Sequence, residues 1–257
     1  MYLNTFHDAA HPRGVGPRFE HQRLMLYDCQ MSFLFISESQ ALQWLGSRAA
    51  NASTDLLHHL HDQENFLIAA ANATLWDAGS GVYRQVDASA DRKGFSPSIS
   101  PTSFYGMIGG VPSMLQAEQM VRRHLTNSSE FCVDAGPAFT PKGATVCPYA
   151  LPSISRSDPN FWDNSYWRGR IWGPLNLLTW IGLSHPKYDS SARITAARRG
   201  LCKQSLSLLM VEWRAHRHVH ENYNATLGIG GDKPNSNPFY HWGANLGYIA
   251  MREAMRV

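Results

Sequence analysis

The sequence predicts an all-α fold built from antiparallel helical hairpins. Two long stretches, 22–45 and 55–76, carry apolar residues at helical spacing. The chain shows no alternation of strands and helices, and the glycines of residues 228–232 follow no apolar strand, so a dinucleotide-binding fold is disfavoured. Helix after helix, with long loops at several of the joints, is typical of paired antiparallel helices.

The first two helices are predicted from periodicity. Gln22–Leu45 is expected to form a long and largely buried helix, and Asp55–Trp76 repeats the pattern. The residues that follow, WDAGSGVY, contain the turn residues Gly79 and Gly81, which predict a short hairpin.

A capping box predicts the start of the third helix. Ser113 and Gln116 have the spacing of such a box, and the helix is expected to run to about Leu125. The segment from Asn127 to about Asn160 then shows no clear periodicity and carries five prolines. It is expected to form a long loop, of the kind that is usually functional or disordered.

Three more helices are expected in the rest of the chain. Leu175–Leu183 follows a proline that suits a first helical turn. Asp189 or Ser190 is expected to cap the next helix, which ends near Trp213, and Phe239–Arg256 forms the last.

Composition excludes several classes of protein. With 44% hydrophobic and 17% charged residues, the chain can build a core and is not disordered. The net charge is only +3 and the basic residues are scattered, so we expect no nucleic-acid partner. No apolar run has the length of a membrane span, and the first residues resemble neither a signal nor a transit peptide. The cellular compartment stays open.

Two segments combine aromatic, basic and acidic residues. Residues 166–174 read YWRGRIWGP, and residues 218–242 contain HVHENYN and PFYHW. Aromatic rings pack against the C–H faces of sugars, and polar tips bind hydroxyl groups. The alternative for any single tryptophan is a place in the core. In the second segment Glu221 is a candidate general base; the alternative is an ordinary exposed loop carboxylate.

These motifs together resemble the C-terminal half of glycoside hydrolase family 63. The resemblance rests on YWRGRIWGP, HVHENYN, GGD and PFYHWG in that order, with support from TLWDAGSGVY, SPTSFYGMIGGV and LPSIS, and it covers most of residues 20–256. That family includes processing and bacterial α-glucosidases and mannosylglycerate hydrolases. The nearest branch resembles the mannosylglycerate and glucosylglycerate hydrolases.

The resemblance implies an (α/α)6 barrel of the six-hairpin glycosidase type and an inverting mechanism. In such a mechanism an acid protonates the leaving oxygen while a base activates water on the other face of the sugar. The family pattern assigns the base to Glu221. It also implies a small carbohydrate substrate, for which the candidate binding residues are Tyr166, Trp167, Arg168, Gly169, Arg170, Trp172, His220, Tyr223, Tyr240, His241 and Trp242.

The chain departs from the family pattern at the general acid. In the family this is an aspartate in a GMDNSP-like loop, and Met1 and Tyr2 match the residues just after that loop. Asp8 occupies a different place in the pattern and is not a substitute. About six helices are predicted, half of a twelve-helix barrel. We therefore expect residues 1–257 to form a single, partial catalytic domain with exposed apolar surface and little activity of its own, and its missing half is a candidate partner.

Two smaller departures leave the substrate open. Leu227–Gly230 stands where relatives carry Thr-Gly-Glu-Gly, and the loop at about 127–160 looks like an insertion. Within that loop Cys132 and Cys147 could form a disulfide in an oxidising compartment.

Neither a metal nor another cofactor is expected. His216, His218 and His220 alternate along the chain, but no further ligand with suitable spacing is evident, and imidazoles also bind sugars and carboxylates. Two alternative functions stay open. One is another (α/α)6 glycosidase, similar to trehalase or glucoamylase; the other is a non-catalytic carbohydrate-binding remnant.

Overall fold

A computed structural model describes residues 19–20, 23–88, 94–140, 142–143, 145–149 and 151–256. The expectations for Met1, Tyr2 and Asp8 lie outside these residues. The described part is mainly helical, as predicted. Its α-helices are α1 (Cys29–Gly46), α2 (Thr54–Thr74), α3 (Met114–Met120), α4 (Gly173–Leu183), α5 (Ala192–His216) and α6 (Asn245–Ala254).

The strands are all two residues long and antiparallel. β1 (Phe19–Glu20) pairs with β2 (Arg23–Leu24), and β3 (Leu26–Tyr27), β6 (Val86–Asp87) and β7 (Gly94–Phe95) form a second sheet. The predicted hairpin is confirmed, since β4 (Trp76–Asp77) pairs with β5 (Val82–Tyr83), and Trp76 lies opposite Tyr83.

The first helix begins later than predicted. Residues 23–24 and 26–27 belong to strands, and the side chain of Asp28 caps α1 by accepting a hydrogen bond from the Met31 amide at 2.7 Å. β3 pairs with β6, about sixty residues away along the chain. Helical periodicity alone could not detect that pairing.

The expectation that this helix is largely buried is also wrong. One face of α1 is buried and includes Phe33 and Ile36. A second face carries four apolar side chains that are each more than half exposed: Met31, Phe35, Leu42 and Leu45. Their spacing of 4, 7 and 3 residues places them along a single stripe of the helix.

The next two helices are confirmed. Ser53 caps α2 by accepting from the Leu56 amide, and the helix occupies the predicted stretch except for its end, because Trp76 belongs to β4. Both halves of the capping box at Ser113 and Gln116 are formed. α3 then continues as a π-helical turn, Val121–Leu125, which ends at the predicted residue.

The predicted long loop packs against α5. Cys132 and Cys147 form a disulfide across it. The side-chain amide of Gln204, on α5, donates to the backbone carbonyls of Cys132 and Cys147 at 3.0 and 2.8 Å. The loop is therefore held by a covalent link and by the helix beneath it.

The bounds of the last two helices differ from the prediction. Ser191, rather than Asp189 or Ser190, caps α5 by accepting from the Ile194 amide. The last helix cannot begin at Phe239, because that residue has a φ of 57°; a 3-10 turn, His241–Ala244, precedes α6 instead.

Packing brings the ends of three helices together. α1 packs on α2, and the buried 3-10 helix Pro101–Met107 lies between α1 and α4. α4, α5 and α6 pack on one another. The segment 166–172 leads into α4, and the segment 217–244 connects α5 to α6.

Among the described residues, no helix combines the length and apolarity needed to cross a membrane.

Candidate active site

The two aromatic segments are joined through their backbones. Ile171 donates to the Tyr223 carbonyl at 2.8 Å, and Tyr223 donates to the Ile171 carbonyl at 2.9 Å. These bonds form an antiparallel bridge between two residues that are far apart in the sequence. The bridge places the segment before α4 beside the segment that carries Glu221.

Glu221 is buried and faces a phenol. Its side chain accepts a hydrogen bond from the Tyr166 hydroxyl at 3.3 Å, and its amide donates to the Asn237 carbonyl at 2.9 Å. Only 6% of the residue is exposed, so the alternative of an ordinary exposed loop carboxylate is wrong. Burial raises the pKa of Tyr166, and the nearby Glu221 charge raises it further, so the phenol stays protonated and can donate.

Tyr166, Trp167 and Trp172 form one aromatic cluster. The rings of Trp167 and Trp172 stack at 3.6 Å with an angle of 8° between their planes. Trp172 also meets Tyr166 edge to face at 4.9 Å and donates its indole N–H to the Tyr166 carbonyl. Because Trp172 is fully buried, it supports the other two rings from behind and offers no surface to a ligand.

The segment before α6 extends this cluster. Trp242 meets Trp172 at 5.7 Å and Trp167 at 6.4 Å. Tyr240 stacks on His241 at 5.2 Å and meets Trp242 edge to face at the same distance. His241 is exposed and the other two residues of this segment are partly exposed, so these rings can contact a ligand.

A tight turn holds Tyr166 in place. Ser165 and Arg168 exchange backbone hydrogen bonds, and Tyr166 itself has a φ of 50°. Gly169 follows with a φ of 91°, and a Cβ there would overlap the carbonyl oxygen of Phe161. Glycine is required at this position because no other residue combines that φ with so close a backbone approach.

The two arginines of the motif have different surroundings. Arg170 is fully buried and donates to the carboxylate of Asp232 at 2.8 Å and to the side chain of Asn222. Burial opposes the charge of Asp232, but hydrogen bonds from Arg170 and Asn224 outweigh it and lower the pKa of the carboxyl group. Arg170 thus orders the loop around residue 230. Arg168 is partly exposed and pairs with Asp163 at 2.8 Å, so it lies within reach of solvent.

Two further predicted binding residues have internal contacts. Tyr223 is fully buried, and its hydroxyl accepts a hydrogen bond from the His220 amide at 3.0 Å. The His220 ring lies against Glu212 and His218. Burial lowers the pKa of His220, an effect that Glu212 opposes. Sequence reasoning missed Glu212, whose only local sign is its spacing of four residues from His216.

Comparison with protein families gives a match along nearly the whole chain. Residues 8–242 match the model of the mannosylglycerate hydrolase MGH1-like glycoside hydrolase domain. The chain belongs to this glycoside hydrolase family. The resemblance that the sequence motifs indicated is thereby confirmed. A search of curated proteins found no match.

Solved structures show the fold of this family member. The family 63 mannosylglycerate hydrolase of Thermus thermophilus, solved in complex with glucose, matches with a TM-score of 0.65 and 19% identity, over 88% of this chain and 45% of its own. The same enzyme with Tris and D-glycerate matches with a TM-score of 0.64 and 20% identity, over 88% of this chain and 46% of its own. Neutral trehalase Nth1 of Saccharomyces cerevisiae matches with a TM-score of 0.59 and 16% identity, over 89% of this chain and 38% of its own.

These likenesses confirm a helical fold of the (α/α)6 glycosidase type. They also show that the chain spans about half the length of the solved structures that it matches. The glycoside hydrolase family is therefore established.

Proposed function

We propose that this protein contributes to an inverting glycoside hydrolase that acts on α-glucosides or α-mannosides, of the oligosaccharide or glycosylglycerate type. The observation that carries the proposal is the buried Glu221 carboxylate, which accepts from Tyr166 at the edge of a partly exposed aromatic cluster. A carboxylate beside a surface suited to sugar rings has the chemistry of a general base in glycoside hydrolysis.

Each group has a stated role in this proposal. Glu221 accepts a proton from the attacking water, and Tyr166 orients the carboxylate by its hydrogen bond. Tyr240 and Trp242 contact the sugar, Trp167, of which only 7% is exposed, backs them, and Arg168 donates to a hydroxyl group or to a ligand carboxylate. Arg170, Trp172 and Tyr223 support this surface from beneath, because they are fully buried.

The relatives support the proposed substrate class. The Thermus enzyme is a mannosylglycerate hydrolase solved with glucose and with D-glycerate. An inverting hydrolase also needs an acid, roughly 6.5–9.5 Å from the base. We place that acid on helices equivalent to the half of the relatives that this chain does not match. Without it the 257-residue chain is expected to turn over substrate roughly 10²–10⁴-fold more slowly than the complete enzyme.

Replacing the proposed base tests the function. In the complete, active protein, Glu221→Gln is expected to lower kcat for mannosylglycerate or glucosylglycerate by roughly 10²-fold or more, since an amide cannot accept the proton. Asp62→Asn, at an exposed position on α2, is the control and should keep wild-type rates. The assays are run over hours. Hydrolysis by Glu221→Gln at a near-wild-type rate would exclude Glu221 as the general base.

Assays of the same complete protein distinguish two alternative functions. Similarity to a trehalase favours a trehalose-type substrate, so trehalose and maltose belong beside the glycosylglycerates in the assay. Carbohydrate binding without turnover would use the same aromatic surface. Calorimetric titration of the sugars together with a hydrolysis assay of the complete protein distinguishes binding from catalysis.

A further inference from the structure

A buried carboxylate meets three histidines at the end of α5. Glu212 is fully buried in the last turns of the helix, and one of its oxygens, Oε2, accepts from the Gly230 amide at 3.1 Å. Its other oxygen, Oε1, lies 2.6 Å from Nδ1 of His220 and 3.0 Å from Nδ1 of His216. One carboxylate oxygen thus faces two imidazole nitrogens.

The two closest atoms do not satisfy each other. Glu212 Oε1 and His220 Nδ1 are both buried, and neither has a well-directed hydrogen bond to any residue that the structure describes. Their short separation therefore reflects close approach with poor alignment. Buried polar atoms without partners are costly, and in native proteins they commonly mark a place where another group binds.

The chain reversal after α5 brings the third histidine to the same place. Arg217 has a φ of 60° and ends the helix, so the following residues turn back over its last turn. His218 then lies with its ring 4.7 Å from that of His220. One ligand atom from each of Glu212, His218 and His220 lies within 4.8 Å of the others.

We propose that Glu212, His218 and His220 bind a divalent transition-metal ion of the zinc class, with His216 at the rim as a fourth ligand. Imidazole nitrogen and carboxylate oxygen are zinc ligands, whereas calcium and magnesium prefer all-oxygen sites. Tetrahedral ligands at zinc lie roughly 3.4 Å apart, so side-chain shifts of about 1 Å would close the site. The sequence predicts no metal, because Glu212 lies on the preceding helix and its spacing from the histidines does not mark it as a ligand.

The ion would act on structure rather than as a Lewis acid on substrate. His220 directly precedes Glu221, and Glu212 belongs to α5. A metal bound to both would tie the loop that bears the carboxylate to a rigid helix. Binding would also satisfy the two unpartnered atoms at once.

Metal binding can be measured without any substrate, and so independently of the proposed hydrolase activity. The untagged protein is freed of metal with a chelator, dialysed, and titrated with Zn²⁺ alone, with bound metal counted by mass spectrometry. We expect one ion per chain. Co²⁺ in place of Zn²⁺ is expected to give the intense visible absorption of a tetrahedral site.

Variants decide whether the ion is at this site. His218→Ala, at a partly exposed position, and Glu212→Gln are expected to weaken Zn²⁺ binding on the order of 100-fold or more. The matched control replaces the exposed α2 histidines His58, His59 and His61 by alanine and should bind as the wild type does. If Glu212→Gln fails to fold, His218→Ala carries the test. Absence of stoichiometric binding, or unchanged binding by His218→Ala, would overturn the proposal.

Discussion

Exposure divides the residues of the aromatic motif into two groups. Tyr166 and Arg168 are partly exposed and can meet a ligand, whereas Arg170 and Trp172 are fully buried. All four belong to one short run of the chain, so the motif alone does not separate them. The buried pair has partners of its own: an ion pair to Asp232 for the arginine and a stacked ring for the tryptophan. A motif therefore predicts a site more reliably than it predicts each residue's part in it.

Gly169 provides a test of the turn that positions Tyr166. Gly169→Ala would place a side chain at a φ of 91° and against the Phe161 carbonyl oxygen. We expect it to lower the free energy of unfolding by roughly 3 kcal/mol or more, measured by urea denaturation. Gly136→Ala is the control, because its φ is 77° but no atom lies within 4 Å of its Cβ. That variant should lose only about 1–2 kcal/mol, and equal losses in the two variants would refute the clash.

At the scale of elements, the π-helical end of α3 is tied to the β4–β5 hairpin through one imidazole. His124 Nδ1 lies 2.8 Å from a carboxylate oxygen of Glu130, and Nε2 lies 2.9 Å from the Ser80 carbonyl. Both partners are acceptors, so the ring satisfies both only as the imidazolium. Burial disfavours that charge, but the hydrogen bonds to Glu130 and Ser80 outweigh it and raise the pKa of His124.

This contact predicts a pH dependence of stability. Because the folded pKa of His124 lies above the unfolded value of about 6.5, its stabilisation is fully present below about pH 6.5 and is lost as pH rises through the folded pKa. Between about pH 5 and 9, unfolding in urea should therefore show a contribution from His124 that falls with pH, against His185 and His220, whose lowered pKa values act in the opposite direction. His124→Gln should reduce the fall, and His59→Gln, on the exposed side of α2, should not. An identical slope in wild type and His124→Gln would contradict the assignment.

At the scale of the molecule, one helix face has no cover among the residues that the structure describes. The stripe on α1 formed by Met31, Phe35, Leu42 and Leu45 is exposed and apolar, with one exposed carboxylate, Glu38, midway along it. Exposed apolar side chains aligned on one face mark an interaction site. The chain also spans about half of the structures that it matches, and those structures are helical barrels. We infer that helices equivalent to the unmatched half cover this stripe in the active protein.

Self-association of the 257-residue chain tests that inference. At roughly 10–100 μM the chain alone is expected to form dimers or larger species, because association buries the exposed apolar side chains of the α1 stripe. Light scattering measures their size. Replacing Met31, Phe35 and Leu42 by glutamine should yield a monomer with unchanged helical content. Leu115→Gln, at an exposed but isolated position on α3, is the control and should not alter association. A wild-type chain that stays monomeric throughout this range would argue against the interface.

Local features of the chain determined much of the fold. The capping box at Ser113, the hairpin after Trp76 and the proline-led start of α4 were all predicted, because each depends on residues within a turn or two of one another. The ordered motifs were sufficient to indicate the family. They also placed Glu221 among aromatic residues, and the described structure brings these together.

Only the tertiary structure decided what depends on distant residues. α1 begins at Cys29 because the strand before it pairs with β6, and its outer stripe is exposed because no described element packs there. Arg170 is buried beside Asn222, and Trp172 is buried against the rings of Trp167 and Trp242. Glu212 meets His220 because the chain reverses after α5. Burial and close approach are properties of packing between segments, whereas periodicity and capping describe one segment at a time.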